Sequence, residues 1–216
     1  MPVDNINGIK IAVAKGRIFE EAMPLLEQAG VSLLDNPEQS RKLILDTSDP
    51  LIKLVVIRSA DVPTYVQYGA ADLGVVGKDV LMEHGGAGLY EPLDLGIARC
   101  SMMIAGLPDA MPLNGRPRIA TKYVNITRQY FAGRGEQVEI VKLYGSMELA
   151  PLAGLANLIV DLVDTGNTLK ANGLVQLEKI CDISARLIIN QASLRLKSQP
   201  VKALTERLSA VVGKVV

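Results

Sequence analysis

Short runs of consecutive apolar residues that alternate with helical patterns are the feature that most limits how this chain can fold. Strand-like runs occur at residues 9–14, 42–46, 54–57, 73–76, 102–105, 118–120, 139–143 and 158–162. Helical spacing occurs at residues 18–28, 61–69, 123–132, 147–152 and 198–212. Such alternation predicts βαβ units with right-handed crossovers, and therefore an α/β fold.

The composition supports strands that are buried on both faces. Hydrophobic residues make up 49% of the chain and aromatic residues only 4%, a usage that suits the parallel sheets of α/β proteins better than a half-exposed sandwich. The chain has 23 basic residues (Lys and Arg) and 23 acidic residues (Asp and Glu), so its formal net charge is zero. No dense basic run occurs, so we expect no nucleic-acid partner.

The remaining composition signals predict a cytoplasmic protein. The first eight residues show no export signal, and no apolar run approaches the roughly 18 residues of a membrane span. Cys100 and Cys181 are too few for a disulfide scaffold, and their apolar surroundings predict reduced, buried thiols. With His84 as the single histidine and no Cys/His cluster, we expect no zinc site. We expect His84, before Gly85 and Gly86, to end a helix at the surface, and Met102 and Met103 to lie in the core.

A Pro- and Gly-rich stretch at residues 107–117 is the strongest break in the pattern. We place a lobe boundary near Ala98, upstream of that stretch, and the apolar run at residues 180–190 is long enough to return the chain to the first lobe. The prediction is a lobe I of residues 1–98 with 184–216 and a lobe II of residues 99–183. Two crossing strands predict a cleft between the lobes, a common place for ligands.

Residues 158–174, LIVDLVDTGNTLKANGL, form the most informative segment. An apolar strand leads to Asp161 and Asp164, then to the turn from Thr165 to Thr168, and a helical pattern follows. Gly166 permits a tight turn and a close approach of the backbone to a ligand. Hydroxyl groups and the unpaired N–H groups of a helix start suit a phosphate monoester, and nearby carboxylates suit ribose hydroxyls.

The same stretch also fits a simple N-capped helix after a strand, with Asp164 or Thr165 as the cap. It is not a nucleotide P-loop and not a dinucleotide-binding fingerprint, since neither glycine pattern occurs. The segment by itself leaves both interpretations open.

A longer pattern decides between them. Glu148 and the residues from 154 to 169 spell E-x5-G-x-A-x2-I-x-D-L-x2-T-G-x-T-L, which resembles the signature of the ATP phosphoribosyltransferases. The likeness extends through AVAKGR (12–17), IRSADVPTYV (57–66), GAADLGVVGKD (69–79) and ARCSMMIAG (98–106), and so covers nearly the whole chain.

The resemblance implies a two-lobed fold like that of the type II periplasmic binding proteins, with two mixed sheets flanked by helices. It implies transfer of the phosphoribosyl group of phosphoribosyl pyrophosphate (PRPP) to N1 of the adenine of ATP, the first step of histidine biosynthesis. Mg²⁺ is the expected cofactor, and we expect it to arrive on the substrate phosphates with no dedicated protein ligands.

Site residues follow from the same resemblance. For PRPP, it implies Glu148, Asp161, Asp164, Thr165, Gly166, Asn167 and Thr168. For ATP or pyrophosphate, it implies Lys15, Gly16, Arg17, Arg41, Lys42, Arg58 and Cys100, with Lys15, Arg17 and Arg58 as the candidate catalytic groups. Orientation of the loop is an alternative role for Asp161, a solvated surface charge for the basic residues, and hydrophobic packing for Cys100.

Some members of the family carry a C-terminal regulatory domain, for which this chain leaves no room after its closing helix. It therefore resembles the short form, which works with a separate regulatory subunit related to histidyl-tRNA synthetase. We expect a hetero-oligomer, a hetero-octamer by resemblance, built on a homodimer of this chain.

Two other functions compete with this one. Purine and pyrimidine phosphoribosyltransferases also have a donor loop that ends in T-G-x-T, but that loop usually carries two adjacent acids, and here Val160 stands beside Asp161. A non-catalytic binding protein could share the two-lobed fold, because a fold does not determine a function.

Overall fold

The computed structural model describes residues 8–35, 42–108 and 115–214. The chain divides into two compact units: unit 1 comprises Met1–Ala98 and Ser184–Val216, and unit 2 comprises Arg99–Ile183. Each unit has its own mixed sheet. Unit 1 is therefore discontinuous in sequence, whereas unit 2 is a single segment of the chain.

Unit 1 is a six-stranded sheet with helices packed against it. Its strands are β1 (Ile9–Ala14), β2 (Ile44–Asp46), β3 (Ile52–Ile57), β4 (Leu73–Gly77), β5 (Leu89–Asp94) and β11 (Ala185–Asn190). Its helices are α1 (Arg17–Gln28), α2 (Val62–Gln67), α3 (Lys78–His84), α7 (Gln191–Leu196) and α8 (Ser198–Val212), with a 3-10 turn at Ser59–Asp61. The strand order is β2-β3-β1-β4-β11-β5. Strand β1 runs parallel to β3 and β4, whereas β11 is antiparallel to both β4 and β5.

Strand β1 shows why the chain forms a sheet covered on both faces. Ile9, Ile11 and Val13 belong to one buried cluster with side chains of α1 and α8. Ala12 and Ala14 point to the opposite face and belong to a second buried cluster with side chains of α2 and α3. Because alternate residues of a strand face opposite sides, a continuous apolar run is what two helical layers require.

A buried carboxylate ties the two segments of unit 1 together. Asp72, only 3% exposed, accepts hydrogen bonds from the Lys10 N–H at 2.9 Å and the Ser193 hydroxyl at 2.6 Å. The Lys197 ammonium lies 3.0 Å from the same carboxylate and also donates to the Gly8 carbonyl. Lys197 thus supplies the opposite charge that a buried carboxylate needs, and it does so from the far end of the sequence.

Unit 2 is a five-stranded sheet in the order β10-β6-β9-β7-β8. Its strands are β6 (Cys100–Gly106), β7 (Arg118–Thr121), β8 (Glu139–Lys142), β9 (Leu158–Val163) and β10 (Val175–Ile183), and its helices are α4 (Val124–Gly133), α5 (Leu149–Leu152) and α6 (Asn167–Ala171). Strands β7, β8 and β9 are parallel, and β6 and β10 are antiparallel to their neighbours.

The predicted fold class, α/β with two mixed sheets, is confirmed. Each predicted strand and the long closing helix are present, with bounds that shift by at most two residues. The sequence interpretation omitted β5, β10 and α7, and it read residues 180–190 as one run where the structure has the end of β10 and all of β11. Strands β5 and β10 are sheet edges with half-exposed faces, so polar residues interrupt their apolar pattern.

Three smaller expectations concern the burial of side chains. Cys100 and Cys181 are only half-buried, so the prediction that they are buried was wrong. Met102 and Met103 are buried in the core, as predicted. His84 ends α3 as predicted but is half-buried, and the prediction of a surface position was wrong in that respect. Among the described ranges, no helix has both the length and the apolar character needed to cross a bilayer.

Candidate active site

The carboxyl ends of the parallel strands of unit 1 carry a row of basic residues. Lys15 follows β1, Arg58 follows β3 and Lys78 follows β4. Ala14 pairs with Ile57 across the sheet, and the Lys15 N–H donates to the Ile57 carbonyl at 2.8 Å. Lys15 and Arg58 therefore emerge side by side at the edge where α/β sheets bind ligands. We call Lys15, Arg17, Arg58 and Lys78 the cationic edge.

The turn from β1 into α1 depends on glycine. Gly16 has φ 80° and ψ −144°, a backbone conformation that residues other than glycine rarely adopt. Helix α1 begins at the next residue, Arg17, and the Glu20 N–H donates to the Gly16 carbonyl at 3.1 Å. Lys15, Gly16 and Arg17 are all exposed at this turn. The turn therefore presents two cationic side chains beside a helix start.

Glu21 connects Arg17 to the last residue of the first segment of unit 1. The Arg17 Nε–H donates to Glu21 Oε1 at 2.7 Å, and the Ala98 N–H donates to Glu21 Oε2 at 2.7 Å. These bonds, that of Ala98 first and that of Arg17 second, hold the pKa of Glu21 below its usual range. Ala98 has φ 51°, and among the described residues it shares a positive φ outside glycine only with Ser146.

Lys78 is a member of the cationic edge that the sequence interpretation did not assign. Its ammonium lies 2.6 Å from a Glu91 carboxylate oxygen, and its backbone N–H donates to the Ser184 carbonyl at 3.0 Å. Arg186 lies 3.5 Å from the other oxygen of Glu91 and 2.9 Å from Asp94. The sequence did contain a signal for Lys78, because this residue directly follows a buried strand and lies in the GKD motif.

Lys42, a further basic candidate of unit 1, precedes strand β2. Lys42 donates to Asp35 at 2.7 Å and lies 3.5 Å from Asp46, and the Asp35 carboxylate in particular raises the pKa of Lys42. Its charge is therefore matched by two carboxylates at the surface. Arg41 lies outside the described residues.

In unit 2, the turn after β9 is narrow and built on Gly166. Gly166 has φ 76°, and a Cβ at this position would lie 2.6 Å from Nε2 of Gln176. Thr165 Oγ1 accepts from the Asn167 N–H at 3.4 Å, and Thr165, Asn167 and Thr168 are exposed. Helix α6 has only five residues, so its dipole adds little and the donors here are the backbone N–H groups and the two hydroxyls.

Asp161, on β9, has a cationic partner. Its Oδ1 accepts from the Leu162 N–H at 2.8 Å and lies 3.3 Å from the ammonium of Lys122. The same ammonium lies 4.9 Å from the centroid of the Tyr123 ring. Lys122 directly follows the parallel strand β7, and it was missed because one lysine between a strand and a helix has no distinguishing pattern.

Asp164, Glu148 and Cys100 complete the predicted set in unit 2. Asp164 is exposed and directly follows β9, whereas Glu148 is half-buried and directly precedes α5. Ser146, two residues earlier, has φ 50°, a strained value of the kind that clusters at functional sites. Cys100 begins β6, and the next residue, Ser101, pairs with Val163 just before the Thr165–Thr168 turn. The strand ends thus bring Cys100 and the turn to the same edge of the sheet.

Metal-ligating side chains are not clustered in the described part of the chain. Residues 8–35, 42–108 and 115–214 contain no group of three His, Cys, Asp or Glu side chains placed to hold a metal ion. Asp161 is already engaged by Lys122. The described residues therefore do not fit a metal held by the protein alone.

Known proteins resemble this chain over almost its full length. The family model HisG: ATP phosphoribosyltransferase matches residues 58–210. The ATP phosphoribosyltransferase of Nitrosococcus oceani is 61% identical over 209 residues, which cover 97% of this chain and 98% of that protein.

Two solved structures have a similar fold. The ATP phosphoribosyl transferase (HisG:HisZ) complex from Thermotoga maritima contains a chain with TM-score 0.82 and 37% identity, covering 95% of this chain and 99% of that one. The VFT2 domain of BvgS from Bordetella pertussis has TM-score 0.57 at 14% identity, covers 98% of this chain and 94% of that one, and shows the shared fold alone. The type II two-lobed fold class predicted from the sequence is confirmed. From the family model and the full-length identity together, the chain belongs to the ATP phosphoribosyltransferase family.

Proposed function

We propose that this chain transfers the phosphoribosyl group of PRPP to N1 of the adenine of ATP, the first step of histidine biosynthesis. The bond from C1 of the ribose to pyrophosphate breaks, its electron pair leaves with pyrophosphate, and the N1 lone pair forms the new bond to C1. The observation that carries the proposal is 61% identity to an ATP phosphoribosyltransferase over 97% of the chain.

The turn after β9 is our candidate for the 5′-phosphate of PRPP. Thr165 and Thr168 offer hydroxyls, and the N–H groups around Gly166 and Asn167 lie at a narrow glycine turn. Each hydrogen bond to the phosphate dianion contributes about 1.5–3 kcal/mol. We assign the ribose hydroxyls to the carboxylates of Glu148 and Asp164, since an ionised carboxylate accepts from both.

Asp161 has a different role in this proposal. Its carboxylate is bonded to the Leu162 N–H and paired with Lys122, which favours orientation of the loop over direct contact with ribose. The Lys122 charge then also reduces the repulsion between Asp161 and a nearby phosphate. Cys100 lies at this edge and is half-buried, and we assign it packing beside the bound nucleotide.

The cationic edge is our candidate for pyrophosphate and the ATP phosphates. Arg17 and Arg58 offer planar, multiply donating guanidinium groups that match phosphate oxygens, and Lys15 adds a compact charge. They act by stabilising the negative charge that develops on the leaving group. Adenine N1 already has a lone pair, so the reaction needs no strong general base, which agrees with a chain that has one histidine.

Mg²⁺ is proposed as the cofactor, carried by the substrates. The described residues do not fit a protein-held metal, and Mg²⁺ commonly binds through phosphate oxygens and water with few protein ligands. We therefore assign no residue of this chain to the metal and derive no step through it.

We further propose that the chain works with a separate regulatory subunit. The solved complex from Thermotoga maritima is described as HisG:HisZ, and a chain of that complex is covered to 99% by this one. By the family resemblance, the partner is a protein related to histidyl-tRNA synthetase, and the assembly is a hetero-octamer built on homodimers of this chain.

Turnover by the purified chain tests the proposal. ATP, PRPP and Mg²⁺ are mixed with the chain, alone and with the regulatory subunit, and N1-substituted adenine is followed by its near-ultraviolet absorbance. We expect product only when all three are present. Turnover with hypoxanthine or orotate instead of ATP, or no turnover with any acceptor, would overturn it.

A further inference from the structure

The contacts of Glu21 point to a function for a residue outside the predicted site. Its two carboxylate oxygens are used separately: Oε1 accepts from the Arg17 Nε–H and Oε2 from the Ala98 N–H, each at 2.7 Å. We propose that Glu21 is a positioning residue, fixed by the backbone of Ala98, that orients the Arg17 guanidinium to bind pyrophosphate. This inference rests on the proposed function, because it takes Arg17 as a ligand of the leaving group.

The geometry suits orientation. An arginine side chain has many rotamers, and a phosphate ligand that selects one of them would otherwise have to overcome the lost entropy. A bond to Nε fixes the plane of the guanidinium, and the rigid planar fork then gives both terminal nitrogens defined positions. The anchor of Glu21 is a backbone N–H and not another mobile side chain, so the carboxylate itself has a defined place.

Stability alone does not account for the pair. The Arg17 and Glu21 side chains are 47% and 37% exposed, and exposed i,i+4 ion pairs contribute little to stability. A carboxylate beside an anion-binding edge also opposes binding by its charge. A residue that costs affinity by charge and adds little to stability is explained if it aligns the arginine.

The backbone at Ala98 supports the same conclusion. Ala98 has φ 51°, a left-handed conformation that is unfavourable for a residue with a Cβ. Such strain persists where surrounding contacts determine the conformation, and it clusters at functional sites. Here the strained peptide directs its N–H to Glu21.

Pyrophosphate binding without turnover tests the inference. Inorganic pyrophosphate with Mg²⁺ is titrated calorimetrically into the full chain, into Glu21→Gln and into the matched control Glu20→Gln, which removes the same charge from an exposed neighbour on α1. Positioning predicts that Glu21→Gln raises the Kd about five- to tenfold, a coupling of ordinary size for contacting residues. Charge alone predicts equal or tighter binding by both variants.

Two further variants make the test specific. Glu21→Asp keeps the charge but shortens the side chain. A positioning role therefore predicts a higher Kd for pyrophosphate, whereas an effect of charge alone predicts an unchanged Kd. In an Arg17→Ala background, Glu21→Gln is expected to have no further effect on the Kd, because there is no guanidinium left to orient. Circular dichroism and thermal unfolding establish that each variant is folded.

The outcomes separate this inference from the proposed function. If wild type turns over ATP and PRPP but Glu21→Gln and Glu21→Asp bind pyrophosphate as wild type does, the positioning role is wrong. It is equally wrong if the effects of Arg17→Ala and Glu21→Gln are additive, or if wild type does not bind pyrophosphate. If the chain binds pyrophosphate in a manner that depends on Glu21 but does not turn over ATP and PRPP, the proposed reaction is wrong and the positioning role of Glu21 is retained.

Discussion

The two units place their candidate residues at the same topological position and build them from different chemistry. In unit 1, the ends of parallel strands carry long cationic side chains, and carboxylates accompany two of them: Glu21 beside Arg17 and Glu91 beside Lys78. In unit 2, the end of β9 carries a glycine turn with short hydroxyl side chains. One edge depends on the placement of side chains, and the other on the shape of the backbone.

The difference follows from the reach of each kind of group. A lysine or arginine needs a partner to hold it in one geometry, because several rotatable bonds separate its charge from the backbone. A backbone N–H needs no such partner, but it requires a turn that only particular dihedral angles allow. Substitutions should therefore act through lost charge in unit 1 and through backbone strain in unit 2.

The largest effect is expected in unit 1, where truncation removes the charge itself. Arg17→Ala should lower kcat/KM by at least about tenfold, or 1.36 kcal/mol of transition-state stabilisation, because a charged donor to the leaving group is lost. Steady-state kinetics with ATP and PRPP measure this. Lys202→Ala, which removes an exposed charge on α8, is the control and should leave kcat/KM unchanged. Equal kinetics for Arg17→Ala and wild type would remove Arg17 from the site.

The second effect separates backbone shape from general strain in unit 2. Gly166→Ala should raise the KM for PRPP about five- to tenfold, because φ 76° strains alanine and the new Cβ displaces the Gln176 side chain. Gly173→Ala is the matched control: Gly173 has φ 71° at the other end of α6, and nothing lies within 4 Å of its Cβ position. Both variants should lose about 1 kcal/mol of unfolding free energy, but only Gly166→Ala should change the KM. Equal KM changes would mean that the turn has no particular role.

A third, smaller effect concerns Lys122, which is paired with the candidate carboxylate Asp161 in unit 2. Lys122→Met should raise the KM for PRPP about threefold, since Asp161 would then repel the phosphate without a compensating charge. Lys142→Met removes a charge at the end of the neighbouring strand β8, where the ammonium lies over the Tyr144 ring. It should have less effect than Lys122→Met, and an equal effect of both would indicate that only the net potential matters.

The smallest effect is on stability and depends on pH. Hydrogen bonds from Ala98 and Arg17 lower the pKa of Glu21 in the folded chain. Their contribution to the free energy of unfolding is therefore fully present above the pKa of Glu21 in the unfolded chain, and it is lost as the pH falls through its pKa in the folded chain. The difference in unfolding free energy between wild type and Glu21→Gln should be below about 1 kcal/mol at neutral pH, because the pair is largely exposed. It should disappear as the pH falls below about 4. Urea unfolding at several pH values measures it, and a difference that grew at acid pH would contradict this account.

Particular residues show what the sequence could and could not predict. The strand at residues 9–14 was predicted with its observed bounds, because a run buried on both faces has no polar interruption. The turn around Gly166 was predicted because its glycine and hydroxyls lie together in sequence. Lys122 was missed because a single lysine after a strand has no distinguishing pattern, and its partner Asp161 is distant in sequence. Lys78 was missed although the GKD motif marks its position, because its partner Glu91 lies on another strand of the sheet. Glu21 was missed for the same reason, since its contact with Ala98 spans 77 residues.

The strand order of unit 1 also has a consequence for the moment at which this protein is made. Strand β11 lies between β4 and β5, yet it is synthesised after the whole of unit 2. Until residues 185–190 have been synthesised, β4 and β5 are present without the strand that pairs with both of them. Asp72 likewise lacks its partners Ser193 and Lys197. Because unit 2 is continuous and domains fold as units during synthesis, unit 2 is expected to be complete before unit 1, although its first residue is synthesised 98 residues later. The nascent chain thus carries an open, apolar β-edge for the time needed to translate unit 2, which is where chaperone binding or mispairing would act.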